Sequence, residues 1–197
     1  MITDNKIYSI ASTVFDKQAE ALRAHSESLD IDFLTTFHLL DDCSGNIVVT
    51  GVGKSSYIGK NFSSKLRSIG LPSFFLDATE AMHGDLGGVS IDDIIISLSY
   101  SGKTGELLHL LENKVLTHNI KIAITSQNSP LSSISDVTIP LKSIEEGDKF
   151  NKIPSTSNTI MAVYLDALIA CLIETKNLSL ETLSTYHPGG SLYVHKS

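Results

Sequence analysis

Lysine, serine and threonine residues crowd two short glycine turns of this sequence, and together they have the chemistry to hold a phosphate. The first turn is Thr50-Gly51-Val52-Gly53-Lys54-Ser55-Ser56 and the second is Ser99-Tyr100-Ser101-Gly102-Lys103-Thr104. Each follows a short apolar run of strand type, residues 46–49 and 93–98. Each precedes a helical period, with Ile58, Phe62, Leu66 and Ile69 after the first and Leu107, Leu108 and Leu111 after the second. A glycine turn that opens a helix gathers free backbone N–H groups at the positive end of the helix dipole, a natural seat for an anion. Gly53 and Gly102 would shape the turns, and the hydroxyls of Ser55, Ser56, Ser99, Ser101 and Thr104 would add donors. On neighbouring parallel strands the two turns would close on one phosphate ester from both sides. A single turn of this kind is also compatible with a plain βα connection; the pairing argues for a site.

Two other readings of the first turn fail on spacing. A Walker A loop needs a glycine five positions before its second one, where Val48 stands. A dinucleotide fingerprint needs a third glycine where Ser56 stands. Lys54 follows the turn directly, so its ammonium reaches a phosphate or the adjacent sugar carbons, unless it is a solvated lysine at a helix start.

Three further residues invite chemistry. His83-Gly84-Asp85-Leu86-Gly87 reads as a glycine-flanked loop whose histidine and aspartate would touch substrate hydroxyls or a divalent metal, although no second cluster of metal ligands accompanies it. Glu146, in a polar aperiodic stretch, reads as a general base or as a surface glutamate. His187 precedes Pro188-Gly189-Gly190, an unusual setting for a packed core histidine, and a partly exposed imidazole suits proton transfer. His25, His38, His109, His118 and His195 read as surface or packing residues.

These residues need a scaffold at whose edge they meet. From residue 46 onward strand and helix alternate, with strands expected at 47–49, 73–76, 94–98, 121–125 and 137–141. The runs are dense in Ile, Val and Leu without alternation, which predicts a parallel sheet covered on both faces, a doubly wound α/β sandwich. Pro140 suits the fifth run to an edge. Ligands bind at the carboxyl ends of such strands, where both glycine turns fall. Two helices precede the sheet: residues 4–28 carry Ile7, Ile10, Ala11, Val14, Ala21 and Leu22 on one stripe, and a second carries Phe33, Leu34, Phe37 and Leu40. They would either cover the sheet or build an interface with another subunit. Residues 145–153 read as a loop, and Pro154-Ser155-Thr156-Ser157 opens a long helix with hydroxyls suited to capping. A short helix at 181–186 leads to His187.

With 197 residues the chain can bury a sizeable core, and its formal charge of −7 argues against nucleic acid or an anionic membrane as partner. Cys43 and Cys171 read as small apolar filler rather than a disulfide or zinc motif. The first residues show no signal-peptide core, and the longest apolar run, 160–173, carries Asp166 and reads as too short to span a bilayer. A cytoplasmic protein of one domain is expected, with helices over 1–44 and an α/β core over 45–192.

Several stretches occur in a familiar order: Gly51-Val52-Gly53-Lys54-Ser55, Glu80-Ala81-Met82-His83-Gly84-Asp85-Leu86-Gly87, Ser99-Tyr100-Ser101-Gly102-Lys103-Thr104, Pro154-Ser155-Thr156-Ser157, Asp166-Ala167-Leu168 and His187-Pro188-Gly189-Gly190-Ser191-Leu192. In these the chain resembles sugar-isomerase (SIS) domain proteins, and among them the arabinose-5-phosphate isomerases, from about residue 45 to 192. The resemblance implies a flavodoxin-like fold and reversible interconversion of D-arabinose 5-phosphate and D-ribulose 5-phosphate through an enediol. It implies no cofactor and no required metal, with His83 as a contact for an inhibitory one. The serine and threonine turns would hold the phosphate and Lys54 would sit at the reacting end. Glu146 and His187 would be acid/base candidates, His83 would line the site, and a homotetramer would share its sites. The alternatives are an SIS isomerase for another ketose phosphate and a non-catalytic sugar-phosphate sensor. Lys103 stands where many members have glutamate, Glu146 is placed by counting eight residues back from Pro154, and the sequence ends soon after His187, where many members continue into paired CBS domains. A form without that regulatory module is therefore expected.

Overall fold

Apolar runs that lack alternation have no face to show to water, and here all five become strands of one covered sheet. The computed structural model describes residues 2–189. Its strands are β1 (Ile47–Gly51), β2 (Ser73–Leu76), β3 (Ile94–Ser99), β4 (Ile120–Ser126) and β5 (Val137–Leu141). All neighbours pair in parallel, in the order β2-β1-β3-β4-β5. Every residue of β1 and β3 is buried. β5 is an edge, which accommodates Pro140 and its missing N–H.

The helices are α1 (Asp4–Ser26), α2 (Ile31–Asp41), α3 (Lys54–Ser68), α4 (Ala78–Ala81), α5 (Gly105–Leu111), α6 (Pro130–Ser133), α7 (Thr156–Thr175) and α8 (Leu180–Thr185). Alternate strand residues point to opposite faces, so the sheet feeds two cores. Val49, Ile96 and Ile122 pack with Phe62 and Leu66 of α3 and with Leu165 and Leu168 of α7. Val48, Ile95 and Ala123 pack with Leu107 and Leu110 of α5 and Leu131 of α6. Each fully buried side chain of this size contributes about 1.5–3 kcal/mol. This is the doubly wound sandwich the alternation predicts.

α7 departs from expectation in length: over 20 residues it is long and apolar enough to cross a membrane by length and composition. Its Ile160, Met161, Tyr164, Leu165, Leu168 and Leu172 are instead buried, and it packs on α1, α2 and α3. Asp166, the polar break in that run, forms an ion pair with Lys65 of α3. Both cysteines are free and pack half-buried against the core, as filler does.

α1 runs alongside α7 in the same direction, its Gln18 level with Thr159 and its His25 ring against Tyr164. Gln18 Oε1 accepts a hydrogen bond from Thr159 Oγ1 at 3.2 Å, while nearer the helix end His25 Nε2 accepts from the Lys142 N–H at 3.1 Å. His25 Nδ1 bonds the Ala21 carbonyl at 2.7 Å, and a carbonyl only accepts, so the ring is neutral with its proton on Nδ1. The first half of α1 reaches past the start of α7, and residues 2–13 are exposed, Ile7 at 54% and Ile10 at 49%. The expected apolar stripe therefore packs only in its second half. In α2, Phe37 and Leu40 are buried while Leu34 is exposed. Asp30 caps α2 by accepting from the Asp32 and Phe33 N–H groups.

Candidate active site

The two glycine turns lie side by side because the strands they follow are neighbours: Gly51, ending β1, is in register with Leu98 of β3. In the first turn Gly53 has φ 61°, a left-handed backbone, and a Cβ there would meet nothing within 4 Å. Glycine is needed for conformation at that position, not for room. Ser56 turns its hydroxyl back onto the Gly53 carbonyl at 2.7 Å, closing the first turn of α3. In the second turn the Gly102 N–H bonds both Ser99 O and Ser99 Oγ at 3.2 Å, and Ser99 Oγ also meets Thr104 Oγ1 at 2.9 Å. Gly102 also has φ 61°, and a Cβ there would sit 2.1 Å from Ser129 Oγ and 2.5 Å from Thr125 Oγ1.

A cavity of about 460 Å³ opens between these turns and the start of α7. Lys54 and Ser55 line it from the first turn; Ser99, Tyr100, Ser101 and Thr104 line it from the second. Glu146, Asn151 and Lys152 come from the loop after β5, and Ser157 and Asn158 from α7. Of the expected phosphate donors, Ser55, Ser99, Ser101 and Thr104 thus share one cavity with Lys54. Gly53, Ser56 and Gly102 build the turns and are not among its lining residues. Lys54 is exposed, its Nζ 5.7 Å from the centre of the Tyr57 ring.

Glu146 is not a surface glutamate: it is 6% exposed. Its Oε2 accepts from the Ser155 N–H at 2.8 Å, the Ser155 hydroxyl at 3.2 Å and the Ser157 N–H at 3.2 Å, and its Oε1 accepts from the Ser157 hydroxyl. The carboxylate therefore caps α7 and sits at the positive end of its dipole. Sequence reading assigned that cap to the hydroxyls of residues 155–157. Ser155 instead donates to Glu146 and accepts from the Gly147 N–H at 2.8 Å. No local pattern signals a cap supplied from nine residues upstream.

Between Glu146 and α7 the loop is knotted around Asp148. Its Oδ1 accepts from the Phe150 N–H at 2.8 Å, and its Oδ2 accepts from Lys152 at 3.0 Å and Ile153 at 2.7 Å. These N–H groups, Ile153 first, hold the carboxyl below its ordinary range. Asn151 adopts φ 54° and accepts the Glu146 N–H at 2.6 Å through its side chain. Lys152, Asn151 and Asn158 were not singled out from the sequence; they stand in no motif, and only the fold brings them to the turns.

The two candidate histidines lie elsewhere in the chain. His83 is exposed between α4 and a 3-10 turn (Asp85–Gly88) and lines a separate pocket of about 310 Å³ with Met82, Glu106 and His109. His187 is half-buried just after α8, its Nδ1 bonding the Leu183 carbonyl at 2.7 Å. The neighbouring Tyr186 lies over Gly70, where a Cβ would come within 2.6 Å of its Oη. Gly70 precedes β2, at the amino edge of the sheet, and the four residues of β2 alone span about 13 Å. His187 is therefore at the opposite edge from its own chain's cavity, and Gly190, Ser191 and Leu192 lie outside the described residues.

Among known proteins, the chain is 36% identical over 188 residues to the Escherichia coli protein named arabinose 5-phosphate isomerase KpsF, covering 94% of this chain and 57% of that one. It is 36% identical over 165 residues to arabinose 5-phosphate isomerase KdsD of Pseudomonas aeruginosa, covering 82% of this chain and 50% of the other. The chain thus spans about half the length of these curated relatives. A solved structure of an Escherichia coli CFT073 protein in complex with arabinose 5-phosphate superposes with a TM-score of 0.90 at 31% identity, over 95% of this chain and all of that one. A model of the SIS domain matches residues 40–170, from the end of α2 to within five residues of the end of α7, and so takes in both turns, the cavity and the capped start of α7: the chain belongs to the SIS domain family.

Proposed function

We propose that the chain is an aldose–ketose isomerase interconverting D-arabinose 5-phosphate and D-ribulose 5-phosphate, supplying Kdo synthesis for lipopolysaccharide or capsule. One observation carries this reading. Lys54 and the hydroxyls of Ser55, Ser99, Ser101 and Thr104 share a single cavity, in a chain 36% identical to proteins named for that activity. The hydroxyls hold the phosphate, on a chain whose net charge of −7 would otherwise repel it. A base takes the C2 proton of the aldose while O1 is protonated, giving an enediol. Loss of the O2 proton and delivery of a proton to C1 complete the ketose, with no net change of oxidation state and no cofactor required. The Lys54 ammonium stabilises charge developing on the reacting oxygens.

His187, one acid/base candidate, and His83, expected to line the site, lie outside this cavity, and the carboxylate of Glu146, the other acid/base candidate, is engaged in capping α7. We therefore include assembly in the reading: a cytoplasmic homotetramer in which another copy brings His187, and His83 with it, to the turns. The exposed apolar side chains of α1, including Ile7, Tyr8, Ile10 and Phe15, support such an interface. The same placement of the histidines favours one other reading, a sugar-phosphate sensor without turnover.

Proton exchange separates them. Purified protein with arabinose 5-phosphate in deuterated water should lose the C2–H signal as ribulose 5-phosphate appears. Saturable binding without exchange would move the reading to the sensor, and neither binding nor exchange would remove this sugar phosphate as the ligand.

A further inference from the structure

The wall of the cavity that faces the hydroxyl turns contains a residue with an unpaired acceptor. Asn158, in the first turn of α7, lines the cavity, and its Oδ1 is buried without a hydrogen-bond partner among the described residues. A buried, unpaired acceptor costs about 1–3 kcal/mol, so a structure that keeps one beside a polar cavity has a use for it. Its neighbours are already engaged: the Ser157 hydroxyl donates its proton to Glu146, and the Ser155 hydroxyl donates to Glu146 while accepting from the Gly147 N–H. Beside Asn158 the loop presents Lys152, a pure donor whose backbone is fixed by the Asp148 knot. An acceptor and a donor on one wall match a hydroxyl-bearing carbon chain, since each hydroxyl both donates and accepts. The opposite wall, with Ser55, Ser101 and Thr104, has the character suited to a phosphate.

We propose that Asn158 and Lys152 are specificity-determining residues that read the sugar hydroxyls of a phosphorylated polyol, with Asp148 as the positioning residue for Lys152. The inference rests on the sugar-phosphate reading above but not on turnover. The sugar chain lies along α7 and the loop, and the phosphate lies in the turns. Asn158 accepts from one hydroxyl and Lys152 donates to another, so a ligand reduced to its phosphate misses this wall.

The test compares arabinose 5-phosphate with inorganic phosphate on the wild-type chain and on Asn158→Ala, Lys152→Ala and Asp148→Ala. Binding is measured by calorimetry alongside KM and kcat, and folding is checked by circular dichroism. Asn158→Ala should weaken the sugar phosphate about five- to tenfold and Lys152→Ala about tenfold or more, the scale of one neutral and one charged hydrogen bond. Inorganic phosphate should move less than about fivefold, the weak Coulomb effect expected of a distant charge in water. Adding Asp148→Ala to Lys152→Ala should bring little further loss, because the two act as one unit. Equal losses for both ligands, or no loss for either, would overturn the assignment. A wild-type chain that binds sugar phosphate without turning it over leaves the comparison intact as a binding measurement. One that binds neither ligand ends both this inference and the functional reading.

Discussion

Replacing Glu146 with glutamine separates two roles that one carboxylate could play. The substitution keeps the size of the side chain but turns one oxygen into an NH2 group. Four donors converge on the carboxylate: the N–H groups and hydroxyls of Ser155 and Ser157. With its nitrogen at the Oε2 position the amide turns away the two N–H donors; with it at the Oε1 position the Ser157 hydroxyl must reverse and accept, and either way the charge at the helix end is lost. A hydrogen bond to a charged group contributes about 1.5–3 kcal/mol, and a partly buried charge at a helix end up to about 2 kcal/mol. The losses overlap, so Glu146→Gln should destabilise the fold by about 2–4 kcal/mol, or about 4–16 °C in Tm for a chain of this length. Urea and thermal denaturation at one fixed protein concentration measure it. Any fall in turnover should then leave the shape of the pH–rate profile unchanged, since the helix start carrying Ser157 and Asn158 has shifted but the base remains. A variant within about 0.5 kcal/mol of the parent that loses the acidic limb of its pH–rate profile would refute the capping argument and make Glu146 the base.

Other perturbations follow from the geometry. Gly102→Ala puts a Cβ 2.1 Å from Ser129 Oγ at φ 61°, so backbone strain and overpacking should together cost about 2–4 kcal/mol in chemical denaturation; an unchanged midpoint would contradict that packing. His25 is buried and neutral, and burial lowers its pKa, so the unfolded chain binds the proton first as pH falls. Its contribution to stability is complete above the unfolded value of about 6.5 and is lost as pH drops through the lowered folded value. Denaturation midpoints between pH 7.5 and 5 should therefore fall more steeply for the parent than for His25→Gln. Charging the free face of α1 with Ile7→Asp and Ile10→Asp should shift light-scattering mass toward smaller species without unfolding the α/β body; an unchanged mass would dismiss α1 as an interface.

The strands were legible because β1 and β3 are buried at every position, and a segment that must avoid water throughout announces itself by composition. The turns were legible because left-handed backbone at Gly53 and Gly102 demands glycine within a few residues of a strand end. What stayed hidden depends on residues far apart in sequence. Glu146 looks like any loop glutamate until the loop folds back on α7. The stripe on α1 reads as core from periodicity alone, but periodicity does not say whether the cover belongs to the same chain, and Ile7 and Ile10 are uncovered. His187 shows the same limit: its sequence context suggests chemistry, while its position is set by Tyr186 against Gly70, at the wrong edge for its own cavity.

The free half of α1 also bears on how the molecule comes together. Residues 4–13 extend about 15 Å as helix, with none of their side chains buried. A helix of that length is only marginally stable in water on its own propensity. In the proposed assembly a second copy would cover this half, and its helicity would then follow association. Far-UV ellipticity should fall on dilution, and a protease cutting at Lys6 should act fastest on the dissociated chain, so that this arm records how far association has gone.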